Sequence, residues 1–456
     1  LYQLFTGALP FDSEDSLAQI HNHIAIPPID PQEINKSLPA SICEIILKLI
    51  AKAPENRYQN LAVLCIDLEK CLSQYQTSRT IEHFKIAQND LCETLYISER
   101  VIGRNDEIAF LKNSWEESKN TAAHMVLVSG YSGIGKSTLI NELQAPVLKE
   151  QAFFISGTYD EFSQHIPFSG FIMALKNLIK QLLCKQEEQL DIWKEKIQDT
   201  IQPLGKILVD LIPELELVIG TQPNIPFSIP ADSQSRFLSV FSSFIQLFCQ
   251  SEYPLVLFLD DLQWIDSSSA DLLESLLTKN RVNNLLIIGS YKSNTAETPV
   301  EIDKLTTNLS SEVSISHLHL APLKLEHIEE LLHNTFRSAN QDISTFAQLI
   351  ESKTFGNPFF IHQFLNKLYQ EELLTFSLSG PSKGKWNWDL EKINAKNISD
   401  NVVEFMIQKL NNLPEQVRIV LKYASCLGNQ FSFDSLALIC NQDKSQLELS
   451  LHIAMH

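Results

Sequence analysis

The chain has 456 residues, of which 44% are hydrophobic and 20% are charged, and its formal net charge at pH 7 is −19. This is the composition of a globular protein, and the length exceeds what one hydrophobic core supports, so about three domains are expected. The negative charge disfavours nucleic acid and anionic membranes as partners, because both would be repelled. No apolar run approaches the ~20 residues that a transmembrane helix needs. We therefore expect no nucleic-acid partner and no membrane segment.

Eight cysteines are scattered along the sequence, and none forms a CxxC pair. This spacing disfavours a zinc site and is typical of reduced thiols, which predicts a cytoplasmic protein. The sequence has no signal peptide and does not begin with Met, and it opens in mid-pattern with LYQLFTG. These features predict a fragment of a longer protein.

Residues 1–78 are predicted to be mostly helical. In the stretch SICEIILKLIAKAPENRY, five apolar residues fall on one helical face: Ile42, Ile45, Ile46, Leu49 and Ile50. A polar linker is predicted over residues 79–98.

From about residue 99 the pattern changes to alternating strands and helices. Five apolar runs are predicted to be strands: MVLVS (125–129), AFFIS (152–156), LVLFL (255–259), LLIIG (285–289) and ISHLHL (315–320). Continuous apolar runs of this kind are typical of a parallel sheet that is covered on both faces. Residues 99–320 are therefore predicted to form an α/β domain.

Several local signals predict where helices and hairpins lie. One helix, SRFLSVFSSFIQLFCQ, carries a phenylalanine stripe with a near-3.6 period, which is typical of core: Phe237, Phe241, Phe244 and Phe248. Asp266 or Ser267 is expected to cap the helix that follows. After residue 320 helices predominate, and the stretch SLSGPSKGKWNW (377–388) is predicted to be a polar loop or a hairpin in which Trp386 and Trp388 pack.

The stretch GYSGIGKST (130–138) predicts a phosphate site. It matches the pattern G-x-x-x-x-G-K-[ST], in which backbone N–H groups surround a phosphate and glycines permit the close approach. The helix that follows adds the positive end of its dipole. Lys136 is expected to contact the β- and γ-phosphates, and Ser137 to contact Mg²⁺. The remaining nucleotide-binding candidates in this stretch are Gly130, Gly133, Gly135 and Thr138.

Two acids end the strand in PLVLFLDDLQW (254–264). In a P-loop protein the acidic strand holds Mg²⁺ directly or through water, and Asp260 is our candidate metal ligand. Asp261 follows directly, and it is the candidate base that would orient or deprotonate the attacking water. Alone, this pair is equally typical of an acidic turn after a strand.

The next strand ends in polar residues, within LLIIGSYKSN. Because the carboxyl ends of neighbouring parallel strands meet in one crevice, Ser290, Lys292 or Asn294 could contact the γ-phosphate there. A solvated loop is an equal alternative for each of them. His317 and His319 alternate on the last predicted strand, which is more typical of a solvated face than of a metal site.

Five stretches together resemble the STAND class of signal-transducing P-loop ATPases: VIGRNDEI, GYSGIGKSTL, YDEFSQHIPFSGF, LVLFLDDLQW and FGNPFF. More narrowly, they are similar to the AAA-type ATPase module of large, chiefly cyanobacterial signalling proteins, which join a Ser/Thr kinase, this ATPase, a GAF domain and a histidine kinase. The resemblance implies that Gly103 and Arg104 lie near the adenine. It also implies that Gly356 and Pro358 form a G-x-P turn whose proline packs on the adenine. Lys292 stands where the family has arginine, and it lacks the planar fork of that residue.

The stretches LYQLFTGALPF and LIAKAPENRYQN resemble the end of a protein kinase C-lobe. The resemblance implies that Arg57 is the structural arginine of that lobe, which pairs with a glutamate outside this sequence. The catalytic residues of such a kinase do not occur in residues 1–78, so no phosphotransfer is expected from them.

The predicted organisation is a truncated kinase tail (1–78), a linker (79–98), an α/β P-loop ATPase core (99–320), a helical lid (321–395) and the start of a winged-helix-like segment (396–456). The predicted function is a regulatory module that binds ATP and Mg²⁺ and hydrolyses the ATP slowly. Its expected partners are kinase, GAF and histidine kinase domains of the parent chain, together with self-association that depends on the nucleotide. The alternative is a nucleotide-dependent scaffold without turnover, and a DNA-bound regulator is disfavoured by the charge.

Overall fold

The computed structural model describes most of the chain. Its description leaves out residues 12–26, 53–55, 88–94, 99, 120–121, 151, 162–165, 186, 224–232, 251–253, 280–281, 294–299, 310–312, 314, 337–342, 378–384, 396–409, 412, 428–430, 441–443 and 456.

The chain divides into two compact units. The sheet unit comprises Arg104–Pro322, Asn357–Phe359 and Ser399–His456. The helical unit comprises Leu1–Gly103, Leu323–Gly356 and Phe360–Ile398.

Five parallel strands form the sheet of the sheet unit. They are β1 (His124–Gly130), β2 (Phe153–Thr158), β3 (Leu255–Asp260), β4 (Leu285–Lys292) and β5 (Ile315–Leu320). Their order in the sheet is β2-β3-β4-β1-β5, and every paired neighbour runs parallel. The predicted α/β fold with a parallel sheet is therefore confirmed, and each of the five predicted strands is present within three residues of its predicted ends, the largest difference being the longer carboxyl end of β4.

Helices flank this sheet because each carries an apolar face that must be buried. They span Asn105–Ser118, Lys136–Asn141, Gln144–Lys149, Ser169–Leu183, Glu187–Ile201, Gly205–Leu211, Glu216–Ile219, Ser233–Leu247, Ser267–Glu274 and Val300–Leu309. Short 3₁₀ turns lie at Pro213–Leu215 and Leu262–Trp264, and a π-helical turn lies at Ser275–Lys279. Asp266 caps the helix Ser267–Glu274 by accepting a hydrogen bond from the N–H of Ser269. Of the two alternatives that the sequence offered, Asp266 or Ser267, Asp266 is therefore the cap.

The main hydrophobic core lies between the sheet and its helices. Phe241, Phe244 and Phe248 are fully buried there, which confirms that this part of the phenylalanine stripe is core. The ring of Phe248 stacks on Trp193 at a centroid distance of 4.8 Å and meets Phe153 edge-on at 5.6 Å. The side chain of Phe237 lies outside the described residues.

Three further helices of the sheet unit lie near the end of the chain, at Glu415–Leu427, Phe433–Cys440 and Lys444–Met455. They share a small core of their own, in which Val420, Leu436 and Leu447 are fully buried. Most of the residues that precede them in the predicted winged-helix-like segment lie outside the described part of the chain.

The described residues of the helical unit include two separate cores. Its described helices span Tyr2–Thr6, Pro31–Ile34, Ala40–Leu49, Leu61–Ser78, Leu325–Phe336, Ile343–Thr354 and Leu390–Ala395, and it also takes in most of Pro358–Gln370. One core lies near the start of the chain, where Ile42, Ile45 and Ile46 are buried as the helical pattern predicts. The other lies among the later helices and a β-hairpin.

This hairpin pairs β6 (Leu374–Ser377) with β7 (Lys385–Trp388) in antiparallel register. Trp388 stacks on Phe346 at a centroid distance of 4.8 Å, and Trp386 lies 5.7 Å from Phe336. The two tryptophans therefore pack in the hairpin core, as predicted, since aromatic rings supply large apolar areas there. Among the described residues, no helix has the length and apolar character that crossing a membrane requires.

Candidate functional site

The predicted site residues of the sheet unit gather at the carboxyl ends of three strands. Gly130 ends β1, Asp260 ends β3 and Lys292 ends β4. Gly130 and Lys292 are register partners, since β1 and β4 are neighbours in the sheet. This edge of an open parallel sheet is where α/β proteins bind ligands, because loops and helix N-termini converge there.

The loop after β1, the predicted phosphate loop (residues 130–135), has a backbone that only glycine adopts easily. Gly133 and Gly135 have φ angles of +76° and +95°, which L side chains rarely adopt. A Cβ atom on Gly135 would meet nothing within 4 Å, so open space lies beside this residue. Helix Lys136–Asn141 begins immediately afterwards, with Gly135 as its N-cap residue. Thr138 lies exposed in the first turn of that helix.

Lys136 is folded back onto the phosphate loop. Its Nζ atom donates hydrogen bonds of 3.0 Å to the carbonyl oxygens of both Gly130 and Tyr131, and the residue is only 7% exposed. Burial lowers the pKa of Lys136, while the nearby carboxylates of Asp261 and Asp260 act in the opposite direction. The charge of Lys292 lowers this pKa further, so the net shift of Lys136 is downward.

Ser137 and Asp260, the two predicted metal ligands, are hydrogen-bonded to each other. The Oγ of Ser137 donates a 2.6 Å hydrogen bond to Oδ2 of Asp260, and the Oγ of Ser290 donates to Oδ1 of the same carboxylate. A hydroxyl and a carboxylate oxygen fit Mg²⁺, which is typically bound by one or two protein oxygens together with phosphate oxygens and waters. Within the described residues no group of three or more His, Cys, Asp or Glu forms a metal cluster, and this arrangement does not need one.

Asp261 is held on both of its carboxylate oxygens. Its backbone is left-handed, with φ +56°, a conformation that Asp tolerates better than most residues. Lys292 Nζ lies 3.1 Å from Oδ2, and Gln263 Nε2 donates a 3.0 Å hydrogen bond to Oδ1. Lys292 is 40% exposed and Asp261 is 19% exposed, so the ion pair faces solvent on the lysine side.

Gln263 is a site residue that the sequence patterns did not single out. Its Oε1 atom accepts a 3.0 Å hydrogen bond from the backbone N–H of Lys292, so its amide joins the turn after β3 to the end of β4. Leu262 precedes it and packs against Gly289, where an added Cβ would lie 2.2 Å from Leu262 Cδ1. The absence of a side chain at Gly289 therefore lets this turn lie close to β4.

Residues Asn357–Phe359 belong to the sheet unit and contact the phosphate loop directly. The side-chain amide of Asn357 donates a 2.9 Å hydrogen bond to the carbonyl oxygen of Ser132. The backbone N–H of Phe359 donates a 3.2 Å hydrogen bond to the carbonyl oxygen of Gly133. A Cβ on Gly133 would lie 2.8 Å from Phe359 Cβ. Pro358 is placed between these two contacts, beside the loop. Asn357 was missed, although it lies within the FGNPFF stretch that carries the family resemblance.

The remaining predicted site residues have other neighbours. Arg104 is 6% exposed, and its guanidinium donates to the carbonyl oxygen of Ala321 and to Glu107 at 3.1 Å. Gly103 belongs to the helical unit, where a Cβ would lie 2.3 Å from the ring of His327. The predicted roles of Gly103 and Arg104 near an adenine stay predictions. Asn294 lies outside the described residues.

The histidines of β5 lie as the strand alternation indicates. His317 and His319 are both exposed, and His319 Nδ1 lies 3.0 Å from Ser129 Oγ. A solvated face is thus the observed state of both side chains. Gly356 lies in the helical unit, where its carbonyl oxygen accepts a 2.8 Å hydrogen bond from the N–H of Leu323.

Comparison with known proteins found a matching family model and several relatives. Residues 100–288 match the AAA ATPase domain. The chain is 28% identical to the hybrid signal transduction histidine kinase G of Dictyostelium discoideum, over 98% of this chain. It is 25% identical to histidine protein kinase 1 of Candida albicans, over 72% of this chain. The chain spans about 15% of the length of each of these two relatives.

The chain also resembles a serine/threonine-protein kinase over a short stretch and a STAND protein of known structure. The chain is 35% identical over 75 residues to a probable serine/threonine-protein kinase of Clostridium acetobutylicum. This match covers 16% of this chain and 11% of the kinase. Among solved structures, a STAND protein with a tetratricopeptide repeat sensor from Pyrococcus horikoshii is 15% identical, with a TM-score of 0.37, over 79% of this chain and 40% of that one.

Proposed function

We propose that the sheet unit binds Mg-ATP at the carboxyl edge of its sheet and hydrolyses it slowly. The observation that carries this proposal is the convergence of Lys136, Ser137, Asp260 and Asp261 on one edge, with Ser137 and Asp260 only 2.6 Å apart. A lysine, a hydroxyl, a metal-ligating carboxylate and a second acid are the parts that P-loop phosphoryl transfer uses. The match of residues 100–288 to the AAA ATPase domain supports the same chemistry.

Each residue then has a role set by its place. The loop N–H groups and Lys136 would hold the β- and γ-phosphates, and Ser137 and Asp260 would hold Mg²⁺, which supplies charge stabilisation to the leaving oxygen. Asp261 would accept a proton from the water that attacks the γ-phosphorus. The bond from the γ-phosphorus to the β-phosphate oxygen breaks as the new bond forms, which leaves ADP and inorganic phosphate. Lys292, at the neighbouring strand end, would contact the γ-phosphate.

We further propose that this nucleotide site regulates a signalling kinase of which the chain is one segment. The names of the relatives from Dictyostelium discoideum and Candida albicans, both histidine kinases, support this. Residues 1–78 would be the end of a protein kinase lobe. The similarity to a serine/threonine-protein kinase supports this, because it extends over 75 residues, about the length of the predicted segment. The proposal also includes membership of the STAND class and a parent protein that joins a Ser/Thr kinase, this ATPase, a GAF domain and a histidine kinase.

A scaffold that binds nucleotide without turnover is the second candidate. It is favoured by one observation, the engagement of both carboxylate oxygens of Asp261 by Lys292 and Gln263. An acid engaged in this way could serve structure alone.

The test combines calorimetric titration of Mg-ATP with steady-state phosphate release from the 456-residue chain. Lys136→Ala should abolish binding, because it removes the charge that offsets the triphosphate. Unchanged affinity in that variant would refute the proposed site. Tight binding by the wild type with phosphate release no faster than background would refute hydrolysis and favour the scaffold.

A further inference from the structure

The side chain of Gln263 connects two strand ends with one amide. Its Nε2 donates to Oδ1 of Asp261, and its Oε1 accepts from the backbone N–H of Lys292, each at 3.0 Å. The first contact lies on the turn after β3, and the second lies at the last residue of β4. Both hydrogen-bonding groups of the amide are therefore used, and they fix its orientation.

The two contacts on Asp261 differ in what could displace them. Lys292 reaches Oδ2 through a long, 40% exposed side chain, and an anion at this edge would compete for the ammonium group. Gln263 contacts the backbone of Lys292 rather than its side chain. The amide bridge therefore survives a movement of the Lys292 side chain, whereas the ion pair does not.

The turn that presents Gln263 is fixed by packing. Asp261 is in the left-handed region, and the 3₁₀ turn Leu262–Trp264 follows it directly. Leu262 is fully buried and lies against Gly289 of β4, where a Cβ would meet its Cδ1 at 2.2 Å. This close packing holds the Gln263 backbone beside the end of β4, so its side chain needs no large rearrangement to keep both bonds.

We infer that Gln263 is a positioning residue for ATP hydrolysis, which keeps the Asp261 carboxylate aimed at the attacking water after the γ-phosphate has drawn Lys292 away. This inference rests on the proposed hydrolysis. Gln263 contacts neither phosphate nor water in this role, and it acts only through Asp261. Misdirecting a base by about 1 Å can cost about 100-fold in rate, so losing the bridge has a measurable cost in turnover.

The experiment measures Mg-ATP affinity and steady-state phosphate release for the full chain and its variants. Gln263→Ala should lower kcat by about tenfold to 100-fold, with the dissociation constant of Mg-ATP changed by less than about twofold. Gln263→Glu should lower kcat at least as much, because it keeps an acceptor for the Lys292 N–H but loses the donor and adds a second negative charge beside Asp261. Gln181→Ala is the matched control, since that amide donates at 2.7 Å to the carbonyl oxygen of Phe154. It should leave kcat unchanged.

A double-mutant cycle separates positioning from a structural role. In the Asp261→Asn background, Gln263→Ala should cause no further loss of kcat, since residues that act through one another are not additive. An equal additional loss there would overturn the inference, as would a Gln263→Ala protein with wild-type kcat. If the wild type binds Mg-ATP but releases no phosphate, the proposed hydrolysis fails and the inference falls with it. Wild-type turnover with an unaffected Gln263→Ala variant overturns the inference alone.

Discussion

Ser137 Oγ donates a 2.6 Å hydrogen bond to Asp260 Oδ2 across 123 residues of sequence. The two residues follow β1 and end β3, which are not neighbours, because β4 lies between them in the sheet. Ser290 of β4 donates to the other oxygen of the same carboxylate. The Asp260 carboxylate is thus oriented by one hydroxyl group on each of its two oxygen atoms.

Asp260 and Asp261 should respond differently to the same substitution. Asp261→Asn should keep Mg-ATP binding, because Lys136, Ser137 and Asp260 are untouched, while turnover falls by about 10²–10⁴-fold, the usual contribution of a positioned base. Asp260→Asn should weaken Mg²⁺-dependent binding itself. Calorimetric affinity and phosphate release, measured on both variants, check this. Wild-type turnover by Asp261→Asn would show that the base is another group.

The lowered pKa of Lys136 predicts how ATP binding depends on pH. The triphosphate needs the charged ammonium form, so Mg-ATP affinity should fall as the pH rises through the folded-state pKa, which lies below that of an ordinary lysine. Titrations from neutral to alkaline pH measure this. An Mg-ATP affinity that stays constant up to the pKa of a free lysine would contradict the role of Lys136 as the charged group that binds the phosphates.

The same shift has the opposite effect on stability. In the window between the folded and unfolded pKa values of Lys136, the unfolded chain binds more protons, so this residue's contribution to the free energy of unfolding rises with pH. The free-energy cost of burying the charged ammonium group is fully present below the folded-state pKa, and it is relieved as the pH rises above that value. Relative to Lys136→Met, the wild type should therefore gain stability as the pH rises. Denaturant unfolding of both proteins, without nucleotide, gives the difference, and a difference that falls with pH would be inconsistent with a buried ammonium.

Two glycines of the phosphate loop should separate packing from binding. Gly133→Ala places a Cβ 2.8 Å from Phe359 Cβ at φ +76°, so the protein without nucleotide should lose about 1–3 kcal/mol of unfolding free energy. Gly135→Ala meets nothing within 4 Å and adds only backbone strain, so it should cost less stability. It should nevertheless weaken Mg-ATP binding, because its Cβ enters the open space beside the loop. Equal stability losses would argue against the Phe359 contact.

The aromatic cluster around Phe248 should contribute strongly to the stability of the sheet unit. Phe248→Ala removes a fully buried ring that contacts Trp193, Phe153 and Phe244, and the expected loss is about 3–5 kcal/mol. Leu217→Ala serves as the control, because Leu217 is 71% exposed and its loss should cost within about 0.5 kcal/mol. Chemical denaturation monitored by tryptophan fluorescence measures both. Similar losses in the two variants would contradict the burial of Phe248.

Local patterns in the sequence were sufficient to predict much of the sheet unit. The five strands follow from continuous apolar runs, since buried parallel strands need apolar residues on both faces. The Asp266 cap and the Phe241–Phe248 stripe follow from interactions within one helix or its first turn. The P-loop pattern predicts which residues line the start of helix Lys136–Asn141, because its glycine spacing has a direct steric cause.

Other parts of the site depend on pairings between distant segments, which local patterns do not encode. Gln263 lies one residue past a leucine that packs on Gly289, and neither residue carries a periodic signal. The strand order, which places β4 between β3 and β1, is set by how the whole sheet packs. The bond from Asn357 to Ser132 spans 225 residues, so only the fold reveals it.

The position of β1 in the sheet has a consequence for how the chain emerges from the ribosome. Both of its partners, β4 and β5, begin at Leu285 or later, so the strand before the phosphate loop cannot pair until most of the sheet unit has been synthesised. At ordinary rates of translation this interval is on the order of ten seconds. During that time the apolar run MVLVS has exposed edges of the kind that chaperones bind and that aggregation exploits. Vectorial synthesis therefore leaves the candidate nucleotide site among the last parts of this unit to form.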